Sequence, residues 1–164
     1  MTAPHFDPLA VLEALVRGGV RFVVIGGVAG RLHGSPSLTR DLDLCHERSE
    51  ANLSALSAVL LAAHARLRGV DDEVPFLLDA RTLRAGGSFT FTTDHGDLDI
   101  LALPAGVEGF EALAAHAESI DLGGFMVEVA SLEGLIRMKR AAGRPKDLIE
   151  VEVLEALRDE LGGS

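Results

Sequence analysis

The chain has 164 residues and a formal net charge of -10 at pH 7. This length suits one domain with a sizeable core, and the acidic balance disfavours nucleic acid and anionic membranes as partners. The single cysteine excludes an internal disulfide, and the six histidines show no zinc-binding spacing. The sequence has neither a signal-peptide pattern nor an apolar run long enough to span a membrane, so we expect a cytoplasmic protein with no membrane partner.

The first part of the chain predicts a helix, a buried strand and a second, shorter helix. Residues 7–17 carry leucines at helical spacing, and Asp7 is a favourable N-cap. A run of β-branched apolar residues then predicts a buried strand that ends at Gly26 and Gly27. The following segment, 28–34, is long enough for two helical turns.

Two further strands are predicted to carry carboxylates. Residues 38–45 alternate with the period of a strand, which places Asp41 and Asp43 on one face, about 6.6 Å apart at the backbone. Residues 88–103 predict a hairpin, and Asp99 lies deep in the apolar run of its second strand. A carboxylate in that setting is hard to explain without a cation. The three acids therefore predict a site for a hard divalent cation, Mg²⁺ or Mn²⁺.

The remaining patterns complete an α/β (α+β) fold, a mixed β-sheet flanked by helices. We expect a single domain over residues 1–164, with a core at about 20–130 and a C-terminal helical pair at about 131–162. The other predicted elements are a long helix from Ser49 to about Arg68, an ambiguous segment at 76–87, a short helix at 110–119, a strand at 125–131 and a helix break at Gly143-Arg144-Pro145.

The glycine pair between a strand and a helix predicts a place for phosphate groups. Gly26 and Gly27 have no side chains, so a substrate can approach the backbone there, and the amides of a following helix attract anions. Carboxylates that bind divalent cations next to a phosphate site are typical of phosphoryl transfer.

In their order along the chain, these motifs resemble the nucleotidyltransferase superfamily of DNA polymerase beta. Its signature, a Gly-Gly or Gly-Ser pair, a D-x-D or D-x-E motif and a later third acid, is matched by Gly26, Gly27, Asp41, Asp43 and Asp99. The stretches VIGGVAGRLHGSPSLTRDLDL, GDLDIL and LIRMKRAAGRPKDL are similar to a minimal branch that includes the abortive-infection toxin nucleotidyltransferases. The resemblance covers most of residues 20–150 and implies a nucleotidyltransferase-type sheet.

The resemblance implies a metal-dependent transferase that moves a nucleoside monophosphate from a nucleoside triphosphate to a hydroxyl group. Asp41, Asp43 and Asp99 would be catalytic and would bind Mg²⁺ or Mn²⁺, whereas Gly26, Gly27 and Lys139 would bind the nucleotide. The acceptor could be an RNA 3′ end, a protein or a small molecule, and the net charge disfavours RNA. The toxin-like branch also implies a toxin–antitoxin role with a partner protein.

Several alternatives remain open at this level. Lys139 could instead complement the C-terminus of its helix. Gly27 stands where many superfamily members have serine, and an Arg-x-Thr motif common before the acids is absent. These departures motivate a rival hypothesis, a catalytically silent protein of the same fold that binds a nucleotide or a partner chain. The presence of all three acids favours the enzyme over this rival. A structural calcium site is disfavoured because the EF-hand spacing is absent. We predict no catalytic role for His33, His95 or Cys45.

Overall fold

A computed structural model describes residues 4–71 and 75–162 of the chain. The strands are β1 (Phe22–Ile25), β2 (Asp41–His46), β3 (Arg66–Leu67), β4 (Ser88–Thr93), β5 (Gly96–Leu101), β6 (Glu118–Asp121) and β7 (Met126–Val129). The helices are α1 (Pro8–Arg17), α2 (Gly26–Leu32), α3 (Glu50–Ala62), α4 (Ala80–Ala85), α5 (Phe110–Ala115), α6 (Leu132–Ala142) and α7 (Pro145–Gly162).

All of these strands form one mixed sheet in the order β3-β4-β5-β2-β1-β7-β6. β2 pairs with β1 antiparallel and with β5 parallel, so β2 lies at the centre of the sheet. The α/β class, the flanking helices and the C-terminal helical pair are confirmed. In the part of the chain that the structure describes, no helix has the length and apolar character needed to cross a membrane.

The two faces of the central strands β2 and β5 differ in the polarity of their side chains. Leu42, Leu44, Leu98 and Ile100 are at most 1% exposed and belong to the core, together with leucines of α1 and α3. Since side chains alternate along a strand, the aspartates between these residues lie on the opposite face. Helices α1 and α3 thus pack on one face of β2 and β5, and the opposite face carries the aspartates.

Most predicted elements are confirmed, including the Asp7 cap, whose carboxylate accepts a hydrogen bond from the amide of Ala10. The long helix predicted to reach Arg68 is wrong over its last six residues. α3 ends at Ala62, because His64 adopts a positive φ of 54° and the chain turns there into the short strand β3. The ambiguous segment at 76–87 contains the helix α4, and α2 begins at Gly26 itself.

The C-terminal helices separate where the sequence predicts. Gly143 caps α6 in the left-handed conformation, with a φ of 66°, and α7 begins at Pro145. A glycine in this conformation followed by a proline is a common way to end one helix and begin the next. α6 also contacts α2, which brings the C-terminal pair toward Gly26 and Gly27 after β1, here called the glycine turn.

Candidate active site

Asp41, Asp43 and Asp99, here called the acidic triad, converge on the open face of the sheet. The parallel register of β2 and β5 places Asp43 directly opposite Asp99, and Asp41 opposite Asp97. One carboxylate oxygen from each member of the triad lies within 4.8 Å of the others. The three acids predicted from the sequence are therefore brought together, although they come from strands far apart in the chain.

The surroundings of the triad raise the pKa of two of its members, Asp41 and Asp43. Burial, together with the charges of Asp41 and Asp99, raises the pKa of Asp43 to about 7. Burial and the nearby Asp99 charge also raise the pKa of Asp41. Each shift means that a negative charge is disfavoured at that position, because three acids share one partly desolvated site. A bound cation would reverse this effect.

The donor set fits a hard divalent cation. Carboxylate oxygens are the ligands that Mg²⁺ and Mn²⁺ prefer, and Mg²⁺ in proteins is commonly held by one or two carboxylates together with substrate phosphates. The acidic triad offers three such oxygens at mutual distances compatible with one ion, or with two ions that share ligands. The residues that could hold the metal are thus Asp41, Asp43 and Asp99.

The glycine turn lies against the triad because Ile25, the last residue of β1, pairs with Asp43. Gly26 has a φ of +70°, and a Cβ atom added there would lie 2.2 Å from Oδ2 of Asp43. A Cβ atom on Gly27 would lie 2.7 Å from Oγ1 of Thr39. Both positions exclude a side chain, so the backbone of the turn forms one wall of the site.

Lys139 lies on the same side of β2 as the glycine turn. Its Nζ atom is 3.5 Å from Oδ1 of Asp147, a carboxylate that is only 1% exposed, and its charge lowers the pKa of Asp43 to a small extent. Arg144 donates to the same carboxylate at 2.6 Å, and this hydrogen bond is the main cause of the lowered pKa of Asp147. Asp147 therefore holds both cations, and of these Lys139 is close enough to Asp43 to lower its pKa.

Arg68 is a site residue that the sequence did not reveal. Its Nη2 atom lies 2.5 Å from Oδ1 of Asp99, and its Nε atom lies 3.4 Å from Oδ2 of Asp97. The sequence predicted a helix at this position, whereas β3 and the residue after it run beside β4. No pattern within the segment itself signals the contact, because it depends on long-range strand pairing.

The contacts of His33 and Cys45 fit a role in holding the fold together and not in catalysis. His33 donates through Nε2 to the carbonyl oxygen of Ala130 at 2.8 Å, which ties α2 to the start of α6. Cys45 is buried, and burial raises the pKa of its thiol to about 12, so the thiol is unreactive at neutral pH. Arg40 is exposed.

No protein-family model matches the sequence, and no curated protein matches it in sequence either. Solved structures do match. The lincosamide antibiotic adenylyltransferase LnuA, solved with lincomycin bound, superposes with a TM-score of 0.61 at 13% identity, over 92% of this chain and 95% of its own. The Thermotoga maritima protein TM1012, assigned as a nucleotidyltransferase, superposes with a TM-score of 0.54 at 17% identity, over 98% of both chains.

The antibiotic-resistance factor ANT(2'')-Ia is a third match, with a TM-score of 0.54 at 18% identity, over 95% of this chain and 89% of its own. At identities this low, the likeness establishes the fold alone. The order of the motifs, the mixed sheet and the superpositions agree on this point: the chain has the fold of the nucleotidyltransferases.

Proposed function

We propose that this protein is a metal-dependent nucleotidyltransferase that transfers a nucleoside monophosphate from a nucleoside triphosphate to a hydroxyl group of a small molecule. The observation that carries the proposal is the convergence of Asp41, Asp43 and Asp99 on the open face of the sheet. Three half-buried carboxylates in one cluster, with the pKa of Asp41 and of Asp43 raised, are a costly arrangement, which a divalent cation would stabilise.

The nucleotide would lie on the side of the glycine turn. Gly26 and Gly27 leave the backbone accessible to phosphate oxygens, and Lys139 supplies a positive charge close to Asp43. A triphosphate bound between them would place its α-phosphate over the triad. Much of the rate enhancement would then come from positioning and from neutralised charge, as in other phosphoryl-transfer sites.

The acceptor hydroxyl would approach from the side of Asp99. A divalent cation held by the triad supplies charge neutralisation at the reacting phosphate. Asp99 would bind this cation through one carboxylate oxygen and would accept the hydroxyl proton on the other. The hydroxyl oxygen then bonds to the α-phosphorus, the bond from this phosphorus to the bridging oxygen breaks, and pyrophosphate leaves with the electron pair.

A small-molecule acceptor is supported by the structural matches and by the charge of the chain. LnuA is an adenylyltransferase solved with lincomycin, and ANT(2'')-Ia has been solved with adenylyl-2''-tobramycin. The net charge of -10 disfavours a long RNA. The role in a toxin–antitoxin pair, with a partner protein, remains a prediction that rests on the sequence resemblance.

Titration calorimetry with each nucleoside triphosphate, with and without Mg²⁺, tests the proposal. We expect Mg²⁺-dependent binding to the wild type, and loss of that binding in the double variant Asp41→Ala/Asp43→Ala. The matched control is Glu152→Ala/Glu160→Ala, which removes two exposed carboxylates of α7 and should bind like the wild type.

Transfer is then measured with a triphosphate labelled at the α-phosphate and a panel of hydroxylated small molecules. A labelled acceptor that depends on Mg²⁺ and on the triad supports the enzyme. If the protein binds none of the triphosphates, the proposal is refuted. Binding without transfer to any acceptor class would favour the rival, a silent nucleotide-binding protein.

A further inference from the structure

Arg68 reaches the acidic triad from the side opposite the glycine turn. Its Nη2 atom donates to Oδ1 of Asp99 at 2.5 Å and to the carbonyl oxygen of Phe91 at 3.0 Å. Its Nε atom lies 3.4 Å from Oδ2 of Asp97. One guanidinium group therefore contacts two carboxylates of β5, and only one of these belongs to the triad.

The charge of Arg68 also extends beyond Asp99. It lowers the pKa of Asp41, in opposition to the effects of burial and of Asp99. In the metal-free triad, Arg68 thus neutralises part of the negative charge that a divalent cation would otherwise neutralise. Because a guanidinium is always protonated at physiological pH, this charge cannot be removed by titration.

We propose that Arg68 is a built-in counter-ion that competes with the divalent cation for Asp99 and keeps cation binding weak until a nucleotide is present. This inference rests on the proposed function, because it concerns the same triad. The competition is electrostatic: a guanidinium and a divalent cation on one carboxylate repel each other. Removal of the guanidinium charge should therefore strengthen cation binding.

Asp97 gives the displaced guanidinium a second partner. Asp97 is 39% exposed in its side chain, against 19% for Asp99, and it accepts a hydrogen bond from Thr92 at 3.2 Å. Arg68 can leave Asp99 and remain paired with the better solvated carboxylate. The two acids of β5 then have different roles, since Asp99 serves the reaction and Asp97 retains the arginine.

The counter-ion couples the cation to the nucleotide. A triphosphate brings oxygen ligands and negative charge, which offset the repulsion between Arg68 and the cation. The cation and the nucleotide should then strengthen each other's binding, and by thermodynamic linkage the factor is the same in both directions. Without Arg68 the cation would bind well alone, and this coupling would shrink.

The test measures Mn²⁺ binding by electron paramagnetic resonance, with and without a triphosphate analogue that cannot be cleaved at the α-phosphate. The variants are Arg68→Gln and Arg68→Met, which remove the charge, Arg68→Lys, which retains it, and the control Arg66→Gln. Arg66 is an exposed arginine of β3, two residues before Arg68, so its substitution changes the net charge equally.

Without the analogue, we expect Arg68→Gln and Arg68→Met to bind Mn²⁺ on the order of tenfold more tightly than the wild type. Arg68→Lys and Arg66→Gln should stay close to the wild type, and the analogue should improve Mn²⁺ binding least in the charge-removing variants. Circular dichroism confirms that each variant is folded, and two charge-removing variants guard against a folding failure of one.

Mn²⁺ binding that is unchanged or weaker in the charge-removing variants would overturn the inference, as would equal tightening in Arg66→Gln. If the wild type binds no Mn²⁺ even with the analogue, the proposed function itself fails. If the wild type shows analogue-dependent Mn²⁺ binding and Arg68→Gln matches it, only the role of Arg68 is refuted.

Discussion

The two cations beside the acidic triad are almost equally exposed, yet they are held in different ways. Arg68 is 31% exposed and donates directly to Asp99 at 2.5 Å. Lys139 is 29% exposed and lies 3.5 Å from Asp147, which Arg144 already binds at 2.6 Å. Arg68 therefore neutralises the triad, whereas Lys139 is the weaker partner of a carboxylate outside it and keeps a charge to offer to an anionic ligand.

Under the proposed function, this difference predicts which substrate would bind on which side of the triad. The glycine turn and Lys139 lie together on one side of β2, where a triphosphate would find accessible backbone and a positive charge. Arg68 and Asp97 lie on the other side, where the acceptor would approach Asp99. Substitutions on each side should accordingly change different steps of the reaction.

The largest effect is expected on the nucleotide side, from Gly26→Ala. The new Cβ atom would lie 2.2 Å from Oδ2 of Asp43 at a backbone φ of +70°, so Asp43 must move. A displaced catalytic group of this kind should lower the transfer rate about 100-fold. The measurement is single-turnover transfer at saturating nucleotide and Mg²⁺.

Gly19→Ala is the matched control for that substitution. Gly19 has a similar φ of +73°, with nothing within 4 Å of an added Cβ atom. It should cost about 1 kcal/mol of unfolding free energy through backbone strain alone and leave the transfer rate unchanged. If Gly26→Ala behaves like Gly19→Ala, the glycine turn has no special role in the site.

A smaller effect is expected from Lys139→Met, which removes the cation that is not committed to the triad. The KM for the nucleoside triphosphate should rise about 10-fold, because one charged contact to phosphate is lost. Arg140→Met is the control, since Arg140 is exposed and pairs with Glu155 at 2.7 Å. A lower melting temperature with an unchanged KM would assign Lys139 to the structure and not to the nucleotide.

The smallest effect is expected on thermal stability, from the repulsion between the triad carboxylates that Arg68 and Lys139 do not neutralise. Asp43 has a pKa raised from 3.8 to about 7, so the folded protein holds this proton more tightly than the unfolded chain does. Asp43 therefore lowers the stability progressively as the pH rises from about 4 to about 7. Asp43→Asn should match the wild type near pH 4 and melt about 5 °C higher at pH 8, without metal.

His46 changes the pH dependence of stability in the opposite direction, but its contribution is the same in the wild type and in Asp43→Asn and cancels when the two are compared. Burial lowers the pKa of this imidazole to about 4, so His46 makes the folded state more stable as the pH rises from about 4 to 6.5 in both proteins. Thermal melts at several pH values, with chelator present, measure the difference. A gap that does not grow with pH would show that Arg68 and Lys139 already neutralise the triad.

The acidic face of the site could be predicted because its signal is local. Alternation places Asp41 and Asp43 on one face of a strand, and Asp99 repeats this pattern in a second apolar strand. The glycine turn is equally local, since a strand followed by Gly26 and Gly27 needs no distant partner to be noticed. These features needed only the periodicity of a strand and the conformational freedom of glycine.

The cationic part of the site and the edges of the sheet are less visible in the sequence. Arg68 was assigned to a helix because an alanine- and leucine-rich pattern continues past Ala62, and the positive φ of His64 has no glycine or asparagine to signal it. β6 was missed because its residues are mostly exposed and do not alternate, as is common for an edge strand. Such features depend on tertiary pairing.

The parallel pairing of β2 with β5 has a consequence for how the chain folds. A slip of one residue between these strands would turn Asp99 toward the packed face, so only the native register assembles the three carboxylates. This pairing joins distant parts of the chain and should form late during folding. A divalent cation would thus stabilise the correctly registered sheet over its slipped alternatives, and the gain of Mn²⁺ affinity during refolding would mark the moment when the register is set.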